Sequence, residues 1–371
     1  MANPESRIPN PGFSALDHAH MARALRLAER GAYTTRPNPM VGCVIAHGAE
    51  VVGQGWHQRA GEPHAEVFAL RAAGDRARGA TAYVTLEPCA HHGRTPPCAE
   101  ALIEAGVARV VAAMRDPFPR VDGQGLERLR AAGIAVASGL MEAQARELNR
   151  AFLSQVERGR PWLRLKLAMS LDGRTALVNG DSKWITGEAA RADVQRWRAR
   201  AGALLTGSGT ALADDPRLTA RVPQAQVQPP LRVVLDRALR MPAGANLLDG
   251  SVPTLVFHAA GVEPDARYSR VECVKLPEGE GGLSLVSALD ALAARGVGEV
   301  QVEAGPVLAG ALFSQGLVDE LLLYVAPLLL GDGARGLLAL PPLAEMAQRW
   351  KLRAVEERKV GEDWRLRLLR G

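Results

Sequence analysis

The chain has 371 residues, 47% hydrophobic and 23% charged, which is the composition of a soluble globular protein and enough chain for two domains with full cores. Its 45 basic and 40 acidic residues leave a formal charge of +5, a mild balance that suits a small anionic ligand and does not by itself indicate nucleic acid. Aromatic residues make up only 4%, which argues against a base-stacking surface for single strands, and no apolar run reaches the length of a membrane span.

Residues 1–13 are polar and proline-rich, without the basic and apolar stretches of a secretory signal, so a flexible start to a cytoplasmic protein is expected. Ser14 and Asp17 form a capping box for a helix reaching Arg30, with Leu16, Met21, Leu25 and Ala28 as its apolar stripe. Arg36-Pro37-Asn38-Pro39 reads as a rigid turn, and VGCVIAH and EVVGQGWH beyond it as a hairpin about Gly48-Ala49. Pro63 is placed to open a helix to about Ala73, putting His64 and Glu66 in its first turn. TAYVTLE is a strand ending at Pro88, and Cys98 opens a helix closed by Gly106, whose free N–H groups favour thiolate at Cys98. A strand ARVVAAM, a helix from Gly125 to Ala132, a strand IAVAS and a helix from Met141 to about Glu157 complete an α/β domain over 14–157.

Within that domain His64, Cys89 and Cys98 offer one imidazole and two thiolates. Three such ligands with an open fourth position are the layout of a catalytic zinc. Glu66, two residues past the histidine, suits a proton shuttle for a zinc-bound water whose pKa the metal lowers to about 7. The H-x-E…P-C order is that of zinc-dependent nucleobase deaminases, but AHHGRTPP separates the two cysteines where that signature has two residues. The loop therefore bulges, carrying His91, His92 and Arg94 to the mouth of the site. Competing readings are a closed structural site with His91 or His92 as fourth ligand, and a Cys89–Cys98 disulfide. Cys43 and Cys273 read as buried and unreactive.

Arg158-Gly159-Arg160-Pro161 marks a domain boundary, and 158–371 form the second domain. WLRLKLAMS opens it as a strand. A helix from about Glu188 to Arg200 precedes the strand ALLTG and a loop SGTALADDPRLTAR. Strands LRVVLD, PTLVFH and EVQVEAG follow, then a helix from about Val307 to Gln315, the strand DELLLYVAPLLL and a terminal hairpin about Gly361-Glu362-Asp363. Val302 to Ala311 is a strand, a glycine turn and a helix, whose first N–H groups can receive a dinucleotide's phosphates, with Gly305 and Gly310 allowing close approach. A full G-x-G-x-x-G is absent, so this turn is equally a structural one.

Residues 64–98 with Pro37-Asn38-Pro39 resemble the deaminase half of the bifunctional riboflavin-biosynthesis deaminase/reductase family. KLAMSLDGRT, DSKWIT, ADDPRLT and VEAGPVLAGAL resemble its reductase half. The resemblance implies a cytidine-deaminase-like three-layer α/β/α domain followed by a dihydrofolate-reductase-like α/β domain, with Zn2+ and NADPH as cofactors. It implies hydrolytic deamination of 2,5-diamino-6-(5-phosphoribosylamino)pyrimidin-4-one, then reduction of the ribosyl chain to give 5-amino-6-(5-phosphoribitylamino)uracil.

By position, the resemblance gives Asn38 the pyrimidine, and NADPH contacts to Ala168, Trp184, Thr210, Asp214 and the turn Gly305, Pro306, Val307, Leu308, Ala309, Gly310 and Ala311. Ser182, Arg198, Leu218, Arg221 and Glu303 fall to substrate, with Lys166 on the same strand. His91 and Arg94 are candidates for the ribose phosphate. Where the family often has a small hydroxyl residue near the cofactor's 2′-phosphate this chain has Arg237, which is expected to grip that phosphate. A homo-oligomer, dimer or tetramer, is expected, with no nucleic-acid or membrane partner. The rivals are an RNA adenosine deaminase with an appended domain, which requires a basic aromatic surface, and a metal-stabilised nucleotide sensor.

Overall fold

A computed structural model describes residues 12–90 and 97–370, and the chain divides into two compact units, Met1–Arg158 and Gly159–Gly371. In the first unit a five-stranded sheet is built from β1 (Gly42–His47), β2 (Glu50–Trp56), β3 (Thr81–Val84), β4 (Arg109–Ala112) and β5 (Ala135–Ser138), in the order β2-β1-β3-β4-β5. The hairpin β1–β2 and the pair β1–β3 are antiparallel, while β3, β4 and β5 run parallel. Alternation along each strand sends its residues to two separate cores. Cys43, Ile45, Ala82, Val84 and Val110 pack with α2 (Ala65–Ala73), α3 (Cys98–Glu104) and α4 (Gln124–Ala131). Val44, Ala46, Tyr83 and Val111 pack with α1 (Ala15–Ala28), α5 (Glu142–Leu148) and α6 (Arg150–Arg158). The unit is thus the expected three-layer α/β/α sandwich.

Local chemistry explains most boundaries. The capping box at Ser14 and Asp17 is formed as expected. Pro63 does not open α2; His64 is its N-cap, with extended φ/ψ. The single helix expected from Met141 is two, because Asn149 leaves the helix and gives its buried amide to Met40: the Met40 N–H donates to Oδ1 at 2.7 Å, and Nδ2 donates to the Met40 carbonyl at 2.9 Å.

The second unit holds a nine-stranded sheet. Its strands are β6 (Trp162–Ser170), β7 (Ala203–Gly207), β8 (Leu231–Leu235), β9 (Thr254–Ala259), β10 (Glu272–Leu276), β11 (Glu299–Val302), β12 (Glu320–Ala326), β13 (Leu352–Val360) and β14 (Asp363–Arg370). In space the order is β10-β9-β8-β7-β11-β6-β12-β14-β13. The first seven are parallel and the terminal hairpin β13–β14 adds an antiparallel edge. The segment after β7, expected as a loop, begins with a helix, α8 (Ser208–Asp214), and follows α7 (Glu188–Arg200) in the chain. An apolar helix not anticipated from the sequence, α9 (Leu285–Ala294), is capped by Ser284. The turn after β11 opens α10 (Pro306–Ser314) one residue earlier than expected. Cys43 is fully buried but Cys273 only partly so. No helix among the described residues is long and apolar enough to cross a membrane.

Candidate active site

In the first unit the two helix starts and the segment after β3 converge. His64 caps α2, Cys98 opens α3, and the Ala99 N–H donates to the Cys89 carbonyl at 3.1 Å, tying Cys89 to that helix start. His64 Nδ1 lies 3.2 Å from Cys98 Sγ and 3.7 Å from Cys89 Sγ, and all three donor atoms sit within 4.8 Å of one another. Tetrahedral zinc with bonds of about 2.0–2.3 Å places neighbouring ligand atoms about 3.5 Å apart, so this donor set fits the ion. The cluster found among the described residues contains these three and no fourth protein donor. His91 and Arg94, and the possible fourth ligands His91 and His92, lie outside the described residues.

The start of α3 also acts on the neighbouring cysteine. The Cys98 N–H at the start of α3 donates to Cys89 Sγ at 3.4 Å, so the helix terminus serves Cys89. The Cys98 thiol's hydrogen bond, against the upward push of burial and with help from His64, brings Cys89 down to about 4. Cys98 itself is pushed up, by that shared bond and by burial. Glu66, only 3% exposed in the first turn of α2, is raised by burial to about 7. Its Oε2 has no hydrogen-bond partner among the described residues. A carboxyl poised at neutrality with one oxygen open is equipped to receive and release a proton.

Asn38 is held from two sides. Its N–H donates to the Thr35 carbonyl at 2.9 Å, and Asn149 grips the backbone of Met40 two residues on. Its Nδ2 is 3.1 Å from Nε2 of His57, a buried residue not assigned a role from the sequence. His57 Nδ1 faces the Pro63 carbonyl at 3.1 Å, which can only accept, so Nδ1 carries the proton and Nε2 accepts from the Asn38 amide. Burial keeps this imidazole below its ordinary pKa, hence neutral. Asn38 is thereby turned so that Oδ1 remains to receive a hydrogen bond from a ligand. Glu87 is a second residue missed: its buried carboxylate accepts from the N–H groups of Asp116, Gly123, Gly125 and Leu126, fixing the loop beside Cys89. Gly125 is obligatory there, since a Cβ would stand 1.8 Å from the Pro88 carbonyl oxygen.

In the second unit Lys166 on β6, Arg198 on α7 and Glu303 just past β11 come together, and Gly305 meets Thr210 past the ends of β11 and β7, where open parallel sheets bind ligands. Arg198 on α7 forks onto Glu303 just past β11, with both contacts at 2.7 Å, and also donates to the Thr219 carbonyl at 3.1 Å. Burial lowers Lys166, against the attraction of Glu303, while burial acts to raise Glu303 and Arg198 overrides it, leaving the carboxylate at about 2. Arg221 donates to Thr219 Oγ1 at 2.9 Å and is lowered by burial and by the guanidiniums of Arg198 and Arg217. Three clustered arginines, one of them Arg217 and not anticipated, form an anion-binding arrangement. Leu218 between them is buried with φ +46°.

Gly305 donates its N–H to Thr210 Oγ1 at 3.2 Å, joining the starts of α8 and α10. Neither helix has a side-chain cap hydrogen bond, Gly209 has open space beside it, and Val307 is 76% exposed. Uncapped N–H groups over open space fit a dinucleotide phosphate. Gly310 does not face that space: a Cβ there would lie 2.1 Å from the Ala339 carbonyl, so its smallness serves packing, and Ala309 is buried beside it. Ala168 is partly covered on β6, Pro306, Leu308 and Ala311 are half-buried, and Asp214 is exposed at the end of α8. Ser182 is half-buried, while Trp184, exposed and under Arg191 at 4.7 Å, lines a 610 Å³ groove with Leu328 and Val360. Arg237 is ion-paired to Glu278 at 3.0 Å rather than free.

Comparison with known proteins accords with both sites. Residues 14–114 match the family model described as the cytidine and deoxycytidylate deaminase zinc-binding region, and residues 161–366 match the RibD C-terminal domain. The chain is 51% identical over 366 residues to the riboflavin biosynthesis protein RibD of Escherichia coli K12, covering 95% of this chain and 99% of that one. It is 46% identical to the RibD of Haemophilus influenzae, covering 95% and 97%. Among solved structures it resembles Acinetobacter baumannii RibD with a TM-score of 0.88 at 44% identity, covering 96% and 99% of the two chains. A Thermotoga maritima diaminohydroxyphosphoribosylaminopyrimidine deaminase/5-amino-6-(5-phosphoribosylamino)uracil reductase aligns with a TM-score of 0.84 at 32% identity and the same coverage.

Proposed function

The chain belongs to the RibD family of riboflavin biosynthesis proteins, and from that premise we propose which of its residues carry the two reactions. The first unit hydrolytically deaminates 2,5-diamino-6-(5-phosphoribosylamino)pyrimidin-4-one. The second reduces the ribosyl chain of the product to ribityl, giving 5-amino-6-(5-phosphoribitylamino)uracil. Zinc held by His64, Cys89 and Cys98 supplies a Lewis acid and a water of lowered pKa. Glu66 takes the proton of the attacking water at its open oxygen and passes it to the departing ammonia. Asn38, turned by His57, receives a ring N–H on Oδ1 and holds the pyrimidine in line. Arg94 and His91 are proposed for the ribose phosphate of this first substrate.

In the second unit NADPH supplies the hydride, and the protein supplies position. Thr210 and the turn at Gly305 receive the phosphates, with Ala168, Trp184 and Asp214 along the cofactor. Arg221, supported by Arg217, holds the substrate phosphate, while Ser182, Leu218, Lys166 and the Arg198–Glu303 pair align the sugar chain. The protein is further proposed to be a homo-oligomer, dimer or tetramer. Leu171, Val178 and Leu329 stand 61%, 81% and 70% exposed on the second unit, apolar side chains that a subunit contact would cover. Light scattering on the purified chain measures that mass directly.

The three donors within 4.8 Å beside a buried Glu66 carry the reading. Mass spectrometry after incubation with the diaminopyrimidine nucleotide tests it. Loss of ammonia is expected with or without NADPH and gain of two hydrogens only with it; a substrate returned unchanged overturns the assignment.

A further inference from the structure

We propose that Tyr324 is a positioning residue of the second site: its ring, fixed by Asp193, is the platform that holds the Lys166 side chain as a charged ammonium facing the sugar chain. This rests on the reading of Lys166 as a contact to that chain.

The strands β6 and β12 are parallel neighbours, with Lys166 opposite Leu322 and Ala168 opposite Tyr324. Alternation puts these four residues on one face of the sheet, the face that α7 covers. The Tyr324 ring is fully buried there, and Lys166 Nζ stands over it at 5.9 Å from the centroid. That is within the ~6 Å over which the negative face of an aromatic ring attracts an ammonium.

The ring is not free to turn away. It is packed among Ala190, Val194, Trp197 and Leu322, and its hydroxyl donates to Asp193 Oδ2 at 2.7 Å. The same carboxylate oxygen receives Arg365 Nη1 at 2.7 Å and the Trp197 indole N–H at 3.3 Å. Arg365 is held in turn by Glu356. Burial and the Asp193 bond keep the phenol well above its ordinary pKa, so it stays neutral and retains the hydrogen that this bond needs. Trp197, tied to the same carboxylate, shows the same device beside it, with Arg164 over its ring at 4.4 Å.

The surroundings of Lys166 explain why a ring is used. Burial works to strip its proton, the Glu303 carboxylate past β11 opposes that loss, and the Arg198 guanidinium on α7 promotes it. Glu303 gives both its oxygens to Arg198, so the attraction it offers a second cation is largely offset. Tyr324 faces Lys166 from β12, while Asp193 and Arg365 act through Tyr324. A second carboxylate would hold the ammonium more tightly but would take its N–H groups away from the substrate. A ring face attracts the charge and leaves all three N–H groups to donate.

The test is the alkaline limb of kcat/KM for reduction, measured on the full chain with Tyr324→Phe and with the same position carrying phenylalanine bearing one, two or three ring fluorines. Each fluorine weakens the negative face while nearly keeping the shape. Because the face favours the charged lysine, weakening it lowers the pH at which Lys166 loses its proton, and activity fails earlier as pH rises. The limb is expected to move down stepwise by a total of about one pH unit, the size of one desolvated cation–π contact, and Tyr324→Leu to give that shift in a single step. Plain Tyr324→Phe is expected to stay within about 0.3 pH unit of the wild type, since it keeps the ring. NADPH affinity reports whether each variant's second unit is folded; if Phe is not tolerated, the series is read in fluorotyrosine, which keeps the Asp193 bond. A limb that stays in place across a series that still binds NADPH overturns the proposal. Undiminished reduction by Lys166→Ala instead removes the reading of Lys166, and the proposal with it.

Discussion

The two sites are built on opposite plans. In the first unit four chemical groups from a 35-residue stretch, His64, Glu66, Cys89 and Cys98, are drawn into one buried point by two helix starts. In the second, the groups come from Lys166 to Glu303, from separate strands, helices and loops, and they meet as charges that largely satisfy one another. A metal tolerates little error in ligand position, so its ligands sit at helix starts and on a loop that Glu87 braces. A long dinucleotide and a sugar phosphate need many modest contacts along a crevice, which the carboxyl edge of a parallel sheet provides without any compact motif.

Removing the one proton carrier should have the largest effect. Glu66→Gln is expected to lower the deaminase rate about 1,000-fold, within the usual range for an acid–base group, while metal analysis still finds zinc bound. Comparable deamination in this variant would mean that the first site is not organised about a single carboxylate.

The charge pair of the second unit comes next. Arg198→Ala leaves Glu303 in a mostly covered site without its fork, and about 3 kcal/mol of stability should be lost in denaturant melts. A double change to Met at both positions should recover most of that loss yet still raise KM for reduction. A double variant as unstable as the single one would show that the pairing is not the cause.

Gly125→Ala probes the bracing of the metal loop. Its Cβ would strike the Pro88 carbonyl, so about 2 kcal/mol of destabilisation and weaker zinc retention against a chelator are expected together. Loss of stability without loss of metal would separate Glu87's loop from the site.

An effect of similar size is set by pH. Burial acts to raise Asp17, but the bonds from Arg109, Ser14 and Tyr83 hold it at about 2, below its reference of 3.8. A depressed carboxylate contributes in full above about pH 4, and that contribution is lost as pH falls toward 2. About 2 kcal/mol should disappear over this window in acid melts, and Asp17→Asn should flatten it.

Much of this was legible in the residues alone. The Ser14 capping box, the hairpin at Gly48, the helix over 188–200 and the zinc ligands all depend on spacing within one or two elements, where local geometry leaves few choices. Pro63 misled because the His64 backbone takes the extended cap conformation, so the helix opens at Ala65, two residues later than the proline suggested. The α8 helix was hidden by its glycine and paired aspartates, which read locally as loop. His57 gave no signal, because its role exists only where Pro63 and Asn38 meet it from two directions.

Arginine shows the boundary most clearly. From sequence alone Arg164, Arg198, Arg221, Arg237 and Arg240 are equivalent cations, and only resemblance singled out some of them. The folded chain buries Arg164 completely between Glu299 and Glu320 under Trp197, sets Arg198 on Glu303, closes Arg237 with Glu278, and, among the described residues, leaves Arg221 and Arg240 on hydroxyls without a carboxylate. Elements and metal ligands follow from near neighbours, which the order of residues records directly. What a charge does depends on the partner that desolvates or neutralises it, and for Arg164 that partner lies 156 residues away along the chain.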